Sequence, residues 1–199
     1  LKKISENDYM VNHQREALLL DIYRRRGEKD KVIEILYKQF KLSPCLKSLN
    51  SLLSEIGEGK RDVVIAELVS AMSVNSALDL CKALFLISVA RVEEAEEYLL
   101  NRAVQLNGDC YGPILELIKA LEHYEKPLLS SILHRSLLVS ILQRAYTKSY
   151  SHGVRYLKVL DKLATAVPDW KNFDNHMKFK QQITQEHGRK TSFWSKYEK

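Results

Sequence analysis

Apolar residues recur at three- and four-residue steps along almost the whole chain, and this period constrains the fold more than any other feature. In the stretch AYTKSYSHGVRYLKVLDKLATAVPDW, Val154, Leu157, Leu160, Leu163, Ala164 and Val167 fall on one face of a helix. That face must be buried, while Arg155, Lys158, Asp161 and Lys162 form a solvated polar side. Pro168 ends the helix, because it lacks a backbone N–H and pushes Val167 out of the helical region. A second helix is predicted after Asp174, the expected N-cap, and carries Met177, Phe179, Ile183 and His187 inward or sideways. Gly188 is predicted to close it at positive φ, with Arg189 and Lys190 favouring the negative helix end. Phe193 and Trp194 follow. Burying one large aromatic is worth roughly 1.5 to 3 kcal/mol, so both are expected to dock onto the preceding helices.

The same period predicts helices over residues 8–26, 30–41, 46–56, 62–72, 77–90, 93–106, 111–124 and from 127 to near 146, with no convincing strand. Gly27, Pro44 and Gly57 stand between them as stops, and Asn107-Gly108-Asp109 reads as a turn. About ten helices joined by short connections must lie antiparallel in neighbouring pairs. The expected fold is therefore all-α: a right-handed superhelical array of antiparallel helix pairs, an α-solenoid. A single helical domain is expected, with an N-terminal part over 1–72 and a C-terminal part over 73–194 closed by HGRKTSFW.

With 199 residues, 45% of them hydrophobic, the chain can bury a core without disulfides or metals. No apolar run approaches the roughly 18 residues needed to span a bilayer, and no secretory leader is visible, so a soluble, cytoplasmic protein is expected. The chain begins at Leu1 rather than Met, which reads as a fragment of something longer. Cys45, Cys81 and Cys110 are odd in number, widely spaced and beside apolar patterns; they are predicted to be buried, reduced thiols. The formal charge of +6 permits weak attraction to nucleic acid or acidic proteins but demands neither.

Two local patterns invite chemistry and do not sustain it. Gly57-Glu58-Gly59-Lys60 lacks the spacing, the following Ser or Thr and the preceding strand of a phosphate loop, and reads as a plain turn. Glu93, Glu94, Glu96 and Glu97 begin a helix, where carboxylates gain from the helix dipole without any catalytic role.

Two resemblances follow from residues already quoted. Leu19, Leu20, Tyr23, Gly27, Val32, Leu36 and Pro44 occupy the positions at which a tetratricopeptide repeat places its Leu, small residue, Tyr, Gly, Ala, aromatic and Pro. Leu20 and Val32 are larger than that pattern's small residues, and Glu16 stands where an aromatic is common. Over roughly 75–194 the chain resembles a bacterial domain family of unknown function. The shared elements are the Gly-Asp turn before Tyr111, the Pro-led Leu-rich helix containing an Arg, Tyr-x-His-x-x-Arg-x-Leu, a Trp after a loop, and His-Gly-Arg-Lys-x-x-Phe-Trp. Some relatives carry this region behind a SWIM zinc finger, whose ligand pairs do not occur here. The resemblance implies a helical repeat fold and supplies no catalytic residues. Its motif positions are Tyr150, His152, Arg155, Trp170, His176, His187, Arg189, Lys190, Phe193 and Trp194, the candidate binding or latch residues.

Three functional classes follow. A helical scaffold or protein-interaction module, acting on another protein or on a covalently attached neighbouring domain, fits the fold best. Nucleic-acid binding comes second, through Arg24, Arg25, Arg26, Lys29 and Lys31, or through C-terminal lysines mixed with Trp170, Phe193 and Trp194; interspersed acids dilute both patches. An enzyme or metal site comes last: His152, His176 and His187 would converge if the final helix folded over the Val154 helix, yet no pair has metal-ligand spacing. No catalytic residue, cofactor, metal or membrane partner is expected, and HGRKTSFW is read as a structural latch.

Overall fold

A computed structural model describes residues 9–199, with side chains from residue 14 onward. The described residues form eleven α-helices and no strand. The expected helix start at Asp8 lies outside them. No helix among them is long and apolar enough to cross a membrane. The chain divides into two compact units, Leu1–Val74 and Asn75–Lys199.

In the first unit α1 (Tyr9–Arg26), α2 (Lys29–Leu42) and α3 (Leu46–Ile56) pack in sequence, followed by a short 3-10 turn and α4 (Arg61–Val74). The α1 face that meets α2 carries Glu16, which accepts from Lys38 and Gln39 at 3.0 Å each. The residue that departs from the tetratricopeptide pattern thus makes a polar bridge. Leu19, Leu20 and Tyr23 are half-buried on α1, whereas Leu18 and Ile22 stay exposed. Val32, Leu36 and Phe40 of α2 and Leu49, Leu52 and Leu53 of α3 form the core with Val64, Ile65 and Leu68 of α4. Gly27 (φ 69) and Gly57 (φ 95) take the left-handed conformation that turns the chain after α1 and α3.

The second unit is built around α8 (Pro127–Gln143). Before it come α5 (Leu80–Ser88), α6 (Val92–Leu100) and α7 (Tyr111–Ala120); after it come α9 (Tyr150–Leu163), α10 (His176–His187) and α11 (Thr191–Tyr197). Helix α8 packs against α6, α7, α9 and α10 and is buried on nearly every side, from Leu128 and Leu129 to Ile141 and Leu142. Only a six-residue link separates α8 from α9, so the two run antiparallel and form the most extensive helix pair of the unit. Lys126, just before α8, is anchored to Glu93 and Glu96 of α6, which gives part of the acidic cluster a structural partner.

Several local expectations are corrected. All three cysteines are exposed, because they stand at helix starts and not on the apolar stripes: Cys45 caps α3, with its sulfur accepting from the Ser48 amide, Cys81 lies in the first turn of α5, and Cys110 precedes α7. Helix α5 begins at Leu80, not Ala77, because side chains hold the preceding segment. Tyr98 donates to the Ala77 carbonyl and accepts from the Asp79 amide, Gln105 accepts from the Leu78 amide, and Asp79 caps the helix. The N-cap of α10 is Asn175, which accepts from the Lys178 amide, rather than Asp174. Gly188 has φ −56, so it does not supply a left-handed cap; a Cβ there would lie 2.6 Å from the Thr184 carbonyl oxygen.

Gly108 in the Asn107-Gly108-Asp109 turn presses against α8: a Cβ would sit 2.1 Å from the Ser136 carbonyl oxygen. Gly108→Ala is expected to lower stability by about 1–3 kcal/mol, since neither backbone can yield cheaply. Gly112→Ala in α7, where a Cβ meets nothing within 4 Å, should not destabilise. Urea denaturation midpoints of the two variants check the contrast.

Candidate functional site

The chemistry-bearing side chains of the second unit gather where α10 meets α8 and α11 meets α9. Helix α11 lies along α9, and Phe193 is completely buried there. Its ring stands edge-on to Tyr150 at 5.6 Å and to Trp194 at 5.1 Å. Gly153 lies against this ring: a Cβ there would be 3.1 Å from Phe193, so the ring would have to give by a few tenths of an ångström. Trp194 is half-buried and donates its indole N–H to the His187 carbonyl at 3.0 Å, which joins the end of α10 to α11. Lys190 continues the joint, its carbonyl accepting from the Phe193 and Trp194 amides.

A second cluster ties α11 and α10 to α9 through Asp161. Its carboxylate accepts from His176 Nε2 at 2.8 Å, from Lys180 Nζ at 2.9 Å and from the Tyr197 hydroxyl at 2.6 Å; Lys180 also donates to Tyr197. Burial alone would raise the Asp161 pKa, but the hydrogen bonds from Tyr197, His176 and Lys180 outweigh it and hold the group below its ordinary range. For Lys180, burial pulls the pKa down and the bonds to Tyr197 and Asp161 push it up further. Asp161 was expected on the solvated side of its helix. It is half-buried because α10 and α11 cover that side.

Arg135, in the middle of α8, is the most unusual side chain of the unit. Only 8% exposed, it lies with its guanidinium carbon 4.5 Å from the ring centres of both Trp170 and Phe179. Nη1 donates to the Asp174 carbonyl at 2.7 Å, while Nε and Nη2 have no hydrogen-bond partner among the described residues. Burial pushes its pKa down to about 10, with the nearby Asp174 pulling the other way. Beside it a cleft of about 370 Å³ is lined by Asp161, Trp170, Asn175, His176, Met177 and Lys180.

The predicted positions therefore separate into groups. Tyr150, Phe193 and Trp194 form an aromatic joint, and Trp170 and His176 flank the cleft. His152 and Arg155 are exposed and lie 2.7 Å apart, Arg155 Nη2 against His152 Nδ1, and Arg189 is exposed. His187 is half-buried next to Glu186, 3.9 Å away. The three histidines do not converge: each has its own neighbour, and no group of three metal-ligating side chains occurs among the described residues. Arg135, Asp161, Lys180 and Tyr197 were not singled out. An arginine inside SSILHRSLLVSIL was the visible signal for the first, and the four-residue step from His176 to Lys180 marks one face of α10.

The basic patch of the first unit is largely neutralised. Arg24 pairs with Glu55, Arg25 with Asp21, and Arg26 and Lys31 both with Glu28.

The model of a family described as a family of unknown function, DUF6880, matches residues 2–196. The match extends over the N-terminal helices as well as the region that carries the His-Gly-Arg-Lys-x-x-Phe-Trp motif. No curated protein and no solved structure matches the chain.

Phe193→Ala is expected to cost about 3–5 kcal/mol, the range for emptying a buried aromatic site. Truncation after His187 should lower the melting temperature at least as far, read by circular dichroism. For Asp161, the depressed folded pKa means that its contribution is fully present above the unfolded value of 3.8 and is lost as pH falls through the lower folded value. The stability gap between wild type and Asp161→Asn should therefore be constant near neutral pH and narrow below pH 3.8, measured by denaturation at stepped pH.

Proposed function

Since the chain belongs to the DUF6880 family, whose function is unknown, we propose from its own geometry that it is a non-enzymatic helical-repeat module that binds another protein. The observation that carries this reading is a row on α1. Arg15, Leu18, Ile22 and Arg25 follow at steps of three and four residues and are all exposed, Leu18 at 66% and Ile22 at 43%. Helix α2 takes the other face, through Glu16, so the row is left over from the internal packing of that pair.

Single exposed leucines are ordinary, but two apolar side chains one turn apart suit an amphipathic helix that offers apolar anchors. The tetratricopeptide-like pattern of α1 and α2 agrees with that use, because repeats of helix pairs commonly present such faces. In this reading HGRKTSFW is a latch that seats α11 and takes no part in recognition. The pairing of Arg24, Arg25, Arg26 and Lys31 with acids argues against a nucleic-acid role for the same region.

Leu18→Glu combined with Ile22→Glu is expected to leave melting unchanged, because both side chains are exposed, and to abolish capture of the partner from an extract of the source cells. Capture of the same proteins by both forms would sink the proposal. A salt-sensitive shift of labelled DNA or RNA by the wild type would favour the nucleic-acid reading instead.

A further inference from the structure

Gly188, Arg189 and Lys190 are all that separate α10 from α11, and the break they make is slight. None of the three has a positive φ. Gly188 is still helical (φ −56, ψ −29), and the Lys190 amide donates to the His187 carbonyl at 3.0 Å, so the chain keeps turning through Arg189. The departure falls at Lys190, whose ψ of 64 replaces a helical value of about −42°. No proline stands in this link, and no side chain caps α11. Returning Lys190 to a helical ψ joins the two helices into one, from His176 to Tyr197. The His187 carbonyl then exchanges the Trp194 indole N–H for the Thr191 amide, four residues on.

Gly188 shows that the bend is the crowded form. In it a Cβ at this position would lie 2.6 Å from the Thr184 carbonyl oxygen, against backbone that cannot yield cheaply. A regular helix carries a Cβ at every position, so the crowding belongs to the bend and vanishes on straightening. Short hinges under strain invite exchange between chains.

Straightening carries α11 off its own α9 and leaves two complementary features on each chain. One is the groove at Tyr150 and Gly153 of α9, with Leu138 and Ile141 of α8 behind it; the other is the Phe193 ring that fills it. Polar contacts mark the same seat, with Tyr197 donating to Asp161 and Lys196 to Ser151. A second copy of this chain supplies the same ring, hydroxyl and ammonium at the same spacing. Two such chains satisfy one another reciprocally, and a two-fold exchange closes without a free groove.

We propose that residues 188–190 are a hinge through which two copies of this chain exchange α11, each seating Phe193 in the other's α9 groove. The dimer keeps the contacts of α11 with α9 and relieves the bend. It neither uses nor depends on the α1 row.

The test is analytical ultracentrifugation of the full chain over a rising series of concentrations. The wild type is expected to populate a dimer as concentration rises. Gly188→Ala favours the continuous helix at both hinges of a dimer and should raise the association constant about tenfold or more. Thr191→Pro should act the opposite way. Proline suits the first position of α11 in the bent form and breaks a helix that runs through it, so this variant should stay monomeric with melting little changed. A dimer built on another surface would answer to neither substitution. A wild type that stays monomeric at every concentration, a Gly188→Ala association constant no higher than the wild-type value, or a Thr191→Pro variant that dimerises like the wild type would each overturn the proposal. Should the proline variant not fold, Gly188→Ala decides the matter.

Discussion

Everything in the second unit depends on surrounding α8 with neighbours that cover its apolar residues and also meet several of its buried polar groups. A helix buried on nearly all sides needs apolar cover, yet this one also carries His134, Arg135 and Ser140 into the interior. Each is met by a particular partner. His134 bonds back to the Ser130 carbonyl and sets its ring against Tyr156 of α9, Arg135 donates to the Asp174 carbonyl ahead of α10, and Ser140 donates to Asp109 ahead of α7. Unpaired polar groups in such a setting are costly, so these few contacts select the register in which α7, α9 and α10 can close around α8. Apolar packing makes the unit compact; the polar exceptions make it specific.

The helices were legible because their stripes are local. Val32, Leu36 and Phe40, or Val154, Leu157 and Leu160, declare a face within a few turns, and Gly27 and Gly57 declare the breaks. The burial of Phe193 was legible for a thermodynamic reason, since a large ring at the end of the chain has nowhere better to go. Local pattern was weaker at the boundaries. Asp174 and Asn175 are both competent caps, and which of them acts depends on where the Asp174 carbonyl must be to meet Arg135. The cysteines misled because a thiol beside an apolar stripe looks like part of it, whereas one position of offset at a helix start places it in solvent.

The junction itself was hidden because its contacts are distant in sequence. Asp161 meets His176, Lys180 and Tyr197, and Arg135 meets Trp170 and Phe179, across segments whose mutual approach no periodicity encodes. On α9 alone Asp161 belongs to the polar side; only the arrival of two later helices turns that side inward. The histidines show the converse. They look like a set in the sequence, and the fold gives each to a different neighbour: His152 to an arginine, His176 to a carboxylate, and the carbonyl of His187 to an indole.

The brevity of α11 has one more consequence. Its seven residues are far too few to hold a helix in water unaided, so its order is borrowed from the surface it covers. Phe193 grips α9 from one side and Tyr197 reaches Asp161 from the other, which leaves no intermediate in which half of the segment stays seated. The tail should therefore open as a single cooperative unit, and each opening would bare Tyr150 and strip one donor from Asp161 together. An event that withdraws the last turn is thereby felt at the cleft wall, because His176 and Lys180 share that carboxylate.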